Sequence, residues 1–256
     1  MTKRVISVFL CVLCVISSIS FIVSAKENKE YTSENFLSVA DGIIAWKKAD
    51  NGSEPDGYLI NDKYLENAGT TPGDWYPIAL GRLGIQDNNE GYLAVIKDRV
   101  EERYRESGRL SAAKATEWHR IALAVLAMGG DPTNFGTDEN GAPINLIADG
   151  TYDRGKTTPL GRQGINGWIW GLITLDSMRY AVPDGAYNTR DDIIVEIISK
   201  QLSDGGFALS SDDADPDITA MAITALAPYY NSEKIYSYHR KALSADESKT
   251  VHEVVD

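Results

Sequence analysis

The stretch Ile121-Ala122-Leu123-Ala124-Val125-Leu126 decides the fold, because its pattern occurs four times. The pattern is a large apolar residue, Ala or Gly, Leu or Ile, two variable residues, then Leu. The other copies are Ile78-Ala79-Leu80-Gly81-Arg82-Leu83, Trp170-Gly171-Leu172-Ile173-Thr174-Leu175 and Met221-Ala222-Ile223-Thr224-Ala225-Leu226. Their closing leucines lie 43, 49 and 51 residues apart. Periods of this size signal repeated helical hairpins. The four segments are apolar around most of a helical circumference, which marks buried inner helices. The small second residue lets a neighbouring backbone come close. Gly129-Gly130 ends the second inner helix as a left-handed cap would.

Amphipathic segments lie between these copies. Tyr92 to Val100 and Asp191 to Leu202 each have an apolar stripe and a charged face, and Asp191-Asp192 favours a helix N-terminus. Ile144 to Ala148 is a shorter candidate. These read as outer helices alternating with the inner ones. Residues 51–73, 131–143 and 151–164 read as loops rich in Gly, Pro, Asn and Thr. An open solenoid of hairpins is the alternative that the same pattern allows.

Two local motifs suggest a family. Gln201-Leu202-Ser203-Asp204-Gly205-Gly206-Phe207 resembles the Gln-x-x-x-Gly-x-Trp repeat of squalene and oxidosqualene cyclases, with Phe207 in place of Trp. Its Asp-Gly-Gly-Phe portion also resembles the repeats of protein prenyltransferase beta subunits. Gln201 is expected to bond the end of the next helix while the ring of Phe207 packs beside it. Asp215-Pro216-Asp217-Ile218-Thr219-Ala220 is similar to the acid motif of class II terpene cyclases. The resemblance implies an all-α fold, an alpha/alpha toroid with inner helices ringed by outer ones, and with only four inner helices visible, or five if Phe36 to Trp46 contributes, the toroid is expected to be incomplete. In the cyclases the central acid, here Asp217 with Asp215 beside it, protonates an isoprenoid. That job needs a protonated acid in a dry cavity, and Ile218 stands where the family carries another acid. The zinc of the prenyltransferases needs an Asp, a Cys and a His. His119, His239 and His252 are isolated, so no metal or other cofactor is expected. Secreted bacterial members, similar to the cobalamin carriers of animals, suggest a non-catalytic module for a small apolar or cobalamin-like ligand.

The repeat also offers a structural role for the acid. Four residues before each motif stand Asp74, Glu117, Asn166 and Asp217, which are expected to cap the inner helices or offset their dipoles. If the inner helices are parallel, these residues gather at one mouth with Trp75, Trp118, Trp168 and Trp170. Such a rim suits a neutral or cationic ligand with flat apolar parts. At least half of the tryptophans are expected to be packing instead.

Lys3-Arg4, the apolar run Val5 to Val23 and the small Ala25 read as a signal peptide over residues 1–25, with an uncleaved anchor as the alternative. Residues 26–256 would then form one secreted or cell-surface domain. Cys11 and Cys14 fall inside the signal, leaving no disulfide and no thiolate ligand. A net charge of −12 disfavours nucleic acid and anionic lipid. No nucleophile elbow or phosphate-binding glycine loop is present. A helical-toroid carbohydrate enzyme with carboxylates from distant segments is a further alternative. Asp212 to Asp217 lacks the Gly and Glu of an EF-hand, leaving only an irregular calcium site to consider. Residues 249–256 read as the opening of another helix. An unclosed ring follows, completed by a further segment or by self-association.

Overall fold

The computed structural model describes residues 32–155 and 158–256. The expected signal peptide lies outside the described residues. The chain divides into two compact units, Met1–Asp50 and Asn51–Asp256. The described part of the first is Thr32 and all but the last residue of α1 (Ser33–Asn51), a helix that includes Phe36 to Trp46.

The second unit is mostly helical. It contains α2 (Asp62–Leu65), α3 (Thr71–Leu83), α4 (Asn89–Ser107), α5 (Ala115–Ala127), α6 (Leu146–Gly150), α7 (Ile165–Asp176), α8 (Arg190–Ile198), α9 (Pro216–Leu226) and α10 (Val251–Val255). The four repeated motifs are the C-terminal halves of α3, α5, α7 and α9. These helices pack in chain order, α3 on α5, α5 on α7 and α7 on α9. The two middle helices have no exposed residue, whereas α3 and α9 keep exposed positions. The expected all-round burial therefore holds only where a helix has neighbours on both sides.

Local chemistry places the helix ends. Gly84, at φ +70°, closes α3, with Ile85 N–H donating to the Leu80 carbonyl as in a Schellman motif. Gly129, at φ +90°, does the same after α5, where Gly130 N–H reaches the Val125 carbonyl. The small-residue rule shifts in the first repeat. Ala79 is exposed, and it is Gly81 that sits against a neighbour, since a Cβ there would run into the Ala127 carbonyl at the end of α5. The C-terminal ends of α3 and α5 thus lie together, so these two helices run parallel.

Pro77 sits inside α3 and cannot donate to the carbonyl four residues back. That carbonyl, of Gly73, instead accepts from the buried Tyr64 hydroxyl at 3.0 Å. Tyr64→Phe should leave it unsatisfied and cost about 1–3 kcal/mol. Urea unfolding checks this, and a loss near zero would mean that water replaces the hydroxyl.

The all-α class holds, with one small two-stranded sheet added to it. Tyr236–Arg240 (β1) and Ala245–Lys249 (β2) form an antiparallel hairpin in the register Tyr236↔Lys249 to Arg240↔Ala245. Tyr236, Tyr238 and Arg240 are buried while Ser237 and His239 face out, the period-2 pattern of a half-buried strand. The helix expected from Lys249 therefore starts at Val251, where Thr250 and Glu253 form a capping box. Gln201 also differs from expectation. Its Nε2 donates to the Gly205 carbonyl of its own turn and to the Val254 carbonyl of α10, at 2.8 and 2.7 Å. The tie to the next helix comes from Thr219 of α9, whose hydroxyl accepts from Phe207 N–H and donates to the Phe207 carbonyl.

Candidate ligand site at the mouth of the inner helices

One cavity of about 290 Å³ is lined by residues from all four repeat helices. Thr71 and Trp75 come from α3, Thr116 and Arg120 from α5, Asn166 and Trp170 from α7, and Met221 from α9. Three helices each contribute a pair four residues apart, the spacing that puts two side chains on one helix face. All seven residues lie in the first half of their helices or at its edge, so the four N-terminal halves share one mouth.

Trp75 and Trp170 form its apolar part. Their ring centroids lie 5.6 Å apart with planes inclined at 57°, and Trp75 is 42% exposed. The exposure of Trp75 leaves aromatic surface within reach of a flat ligand. Asn166 supplies the polar part, because its Oδ1 is buried and has no hydrogen-bond partner in the described structure.

Arg120 is held in place from below. Its Nε donates to Asp74 Oδ2 at 2.7 Å, Nη1 to the Thr71 hydroxyl at 3.2 Å and Nη2 to the Gly69 carbonyl at 3.0 Å. Asp74 is fully buried, and its Oδ1 accepts from Gly69 N–H at 2.7 Å and Tyr92 Oη–H at 2.8 Å. Burial raises its carboxyl above the ordinary range, against the downward pull of Arg120, Tyr92 and Gly69. The same burial, with Asp74 beside it, pushes the Tyr92 phenol upward and keeps it a donor. With its fork engaged, Arg120 shapes the wall rather than offering a free charge.

The other residues expected at the rim are elsewhere. Trp118 lies two residues from both Thr116 and Arg120, on the opposite face of α5, and is 2% exposed. Its Nε1–H donates to Tyr104 Oη at 2.8 Å. Trp168 is likewise two residues from Asn166 and Trp170 and packs over Gly161, where a Cβ would collide with its indole. Glu117 pairs with Arg103 of α4 at 2.8 Å. Asp74 forms the floor beneath the cavity.

Capping also falls to other residues. The N-cap positions of α3, α5, α7 and α9 are Thr70, Lys114, Gly164 and Asp215. Asp74, Glu117, Asn166 and Asp217 stand two to four residues inside, too far along to accept from the first free N–H groups, although the three acids still face the dipole. Asp215 Oδ1 accepts from Asp217 N–H at 2.8 Å and Ile218 N–H at 2.9 Å. Asp215 and Asp217 are both exposed, not enclosed in a dry cavity. Isoprenoid protonation needs an acid enclosed in a dry cavity, a setting that these two exposed carboxylates do not have here. Among the described residues no three or more His, Cys, Asp or Glu gather for a metal, and Asp204 spends its oxygens on Gly206 and Ala214 N–H.

The residues not singled out from sequence are Thr71, Thr116, Arg120 and Met221. The four-residue spacing from Trp75 and within Thr116/Arg120 is the signal that points to the first three. No family model, curated protein or solved structure matches the chain.

Proposed function

We propose that the chain is an exported or surface-held binding module of alpha/alpha-toroid type and that its mouth holds a small ligand without chemical turnover. The observation that carries this reading is the cavity shared by the four repeat helices, lined by an inclined tryptophan pair and by Asn166, whose buried amide oxygen has no partner among the described residues. The ligand has a flat apolar portion for Trp75 and Trp170 and an N–H or O–H group for Asn166 Oδ1. Ligand pockets typically enclose about 300–1,000 Å³, so this cavity takes a fragment-sized molecule or one arm of a larger one such as a cobalamin. Export rests on Lys3-Arg4, the apolar run after them and Ala25. No described helix is long and apolar enough to cross a membrane. Both α3 and α9 keep exposed positions, and a second copy packed there would extend the row toward a ring.

Calorimetric titration with cyanocobalamin, geranylgeranyl diphosphate and an aryl glycoside tests the reading. At least one should bind, and Trp75→Ala should weaken it by about tenfold or more, as expected for an aromatic anchor worth above 1.4 kcal/mol. Trp168→Phe, on the opposite face of α7, should leave it unchanged. Binding that survives Trp75→Ala places the ligand elsewhere. A product formed from geranylgeranyl diphosphate would revive the enzyme reading in place of this one.

A further inference from the structure

Behind the inner row lies a second cavity, of about 370 Å³, lined among others by Tyr104, Arg109, Trp118, Asp149, Asp153 and Arg154. Arg154 is the notable member. It is 4% exposed, and its guanidinium carbon lies 4.4 Å from the centre of the Trp118 ring. Nη1 points to the Asp149 carbonyl at 3.5 Å, the outer limit of a hydrogen bond. Nε and Nη2 are buried with no partner among the described residues. Those two nitrogens form one straight edge of the fork, the edge that takes both oxygens of a carboxylate in parallel hydrogen bonds. A buried charge left unpaired is strongly unfavourable, whereas one completed by an opposite charge is not.

The surroundings narrow the class of that charge. Trp118 already covers one face of the guanidinium, so a ligand approaches edge-on. Tyr104 Oη donates to Asp149 Oδ2 at 2.6 Å, which turns that carboxylate into the cavity wall. Asp153 is exposed at the cavity's margin. Two guanidiniums and two carboxylates around one space repel a phosphate dianion from one side while attracting it from the other. A molecule with a carboxylate at one end and an ammonium at the other is attracted from both.

We infer that this cavity binds a small zwitterion of the amino-acid class, its carboxylate seated on Arg154 Nε and Nη2 and its ammonium turned toward Asp153. This inference does not rest on the mouth site, because Trp118 and Arg154 lie on the other side of α5 from Thr116 and Arg120.

Proton NMR of the arginine Nε–H groups, with calorimetry alongside, tests it on the full chain using L-alanine, acetate and inorganic phosphate as probes. L-alanine should shift one slowly exchanging arginine Nε–H, acetate should do so at higher concentration, and phosphate should not. Arg154→Lys keeps the charge but loses the two-nitrogen edge, and should weaken L-alanine at least about tenfold. Because that variant changes a buried residue, the exposed Asp153→Asn supplies the second test. It should weaken L-alanine and leave acetate as it was. Equal loss of both probes in Asp153→Asn, tighter binding of phosphate than of L-alanine, or no shift with L-alanine would each overturn the assignment.

Discussion

Asp74→Ala should destabilise the unit Asn51–Asp256 by about 3–5 kcal/mol, the range for removing one partner of a buried ion pair. The carboxylate is fully buried, and its two oxygens accept from Arg120, Tyr92 and the Gly69 backbone. Truncation removes all three acceptor contacts and leaves Arg120, whose side chain is 13% exposed, without its counter-ion. The hydrogen bonds of Arg120 to Thr71 and Gly69 remain but carry no opposite charge. Two further variants separate the causes. Tyr92→Phe removes one donor and should cost about 1 kcal/mol. The double change Asp74→Leu with Arg120→Met removes both charges and should recover much of the loss, since apolar residues of similar volume often replace a buried pair at little cost. Urea unfolding of the four proteins reads this directly. If the double variant is as unstable as Asp74→Ala, packing rather than the stranded guanidinium is responsible. A cost below about 1 kcal/mol for Asp74→Ala would show that water reaches Arg120 and stands in for the carboxylate.

The helical repeat was legible because burial dictates it. A helix with neighbours on both sides cannot place a charged residue there, and α5 and α7 carry the pattern most purely. The mouth was legible only in part. Trp75, Trp170 and Asn166 meet there, whereas Trp118 and Trp168 do not, and a helix already separates residues two apart by more than half a turn. Local geometry alone could thus have divided the tryptophans. What spacing could not show is the rotation of one helix against the next. It is that rotation which brings Arg120 over Asp74, 46 residues away in sequence. The acid motif has a local role that needs no chemistry. Asp215 satisfies two backbone N–H groups that any helix start leaves free, so its presence needs no chemistry beyond capping. The hairpin of β1 and β2 went unread although Tyr236-Ser237-Tyr238-His239 alternates plainly. Arg154 carried no sequence signal at all, because a single arginine in a loop reads as solvated until its burial is known.

The acid limb of the stability curve should be set in part by His119. Its ring is fully buried in α5, and Nε2 lies 2.8 Å from the Gly150 carbonyl. A carbonyl accepts, so the neutral ring carries its proton on Nε2, leaving Nδ1 bare and without a donor among the described residues. Burial pushes the imidazole down to about 3, with the Arg154 guanidinium acting in the same direction and the Gly150 carbonyl opposing both. In the unfolded chain a histidine titrates near 6.5. Between those values the unfolded chain holds a proton that the folded chain lacks, so stability falls as pH falls through the window and is complete above it. One such proton changes stability by about 1.4 kcal/mol per pH unit. His119→Gln removes the titration and should flatten the plot of urea-derived stability against pH between about 6 and 4 by that slope, whatever offset it adds at neutral pH. Comparing slopes rather than stabilities cancels the contribution of Asp149, whose buried carboxyl is raised and whose linkage runs in the opposite sense. Parallel curves for the two proteins would mean that His119 is protonated in the fold, which would require an acceptor for Nδ1–H where the structure shows none.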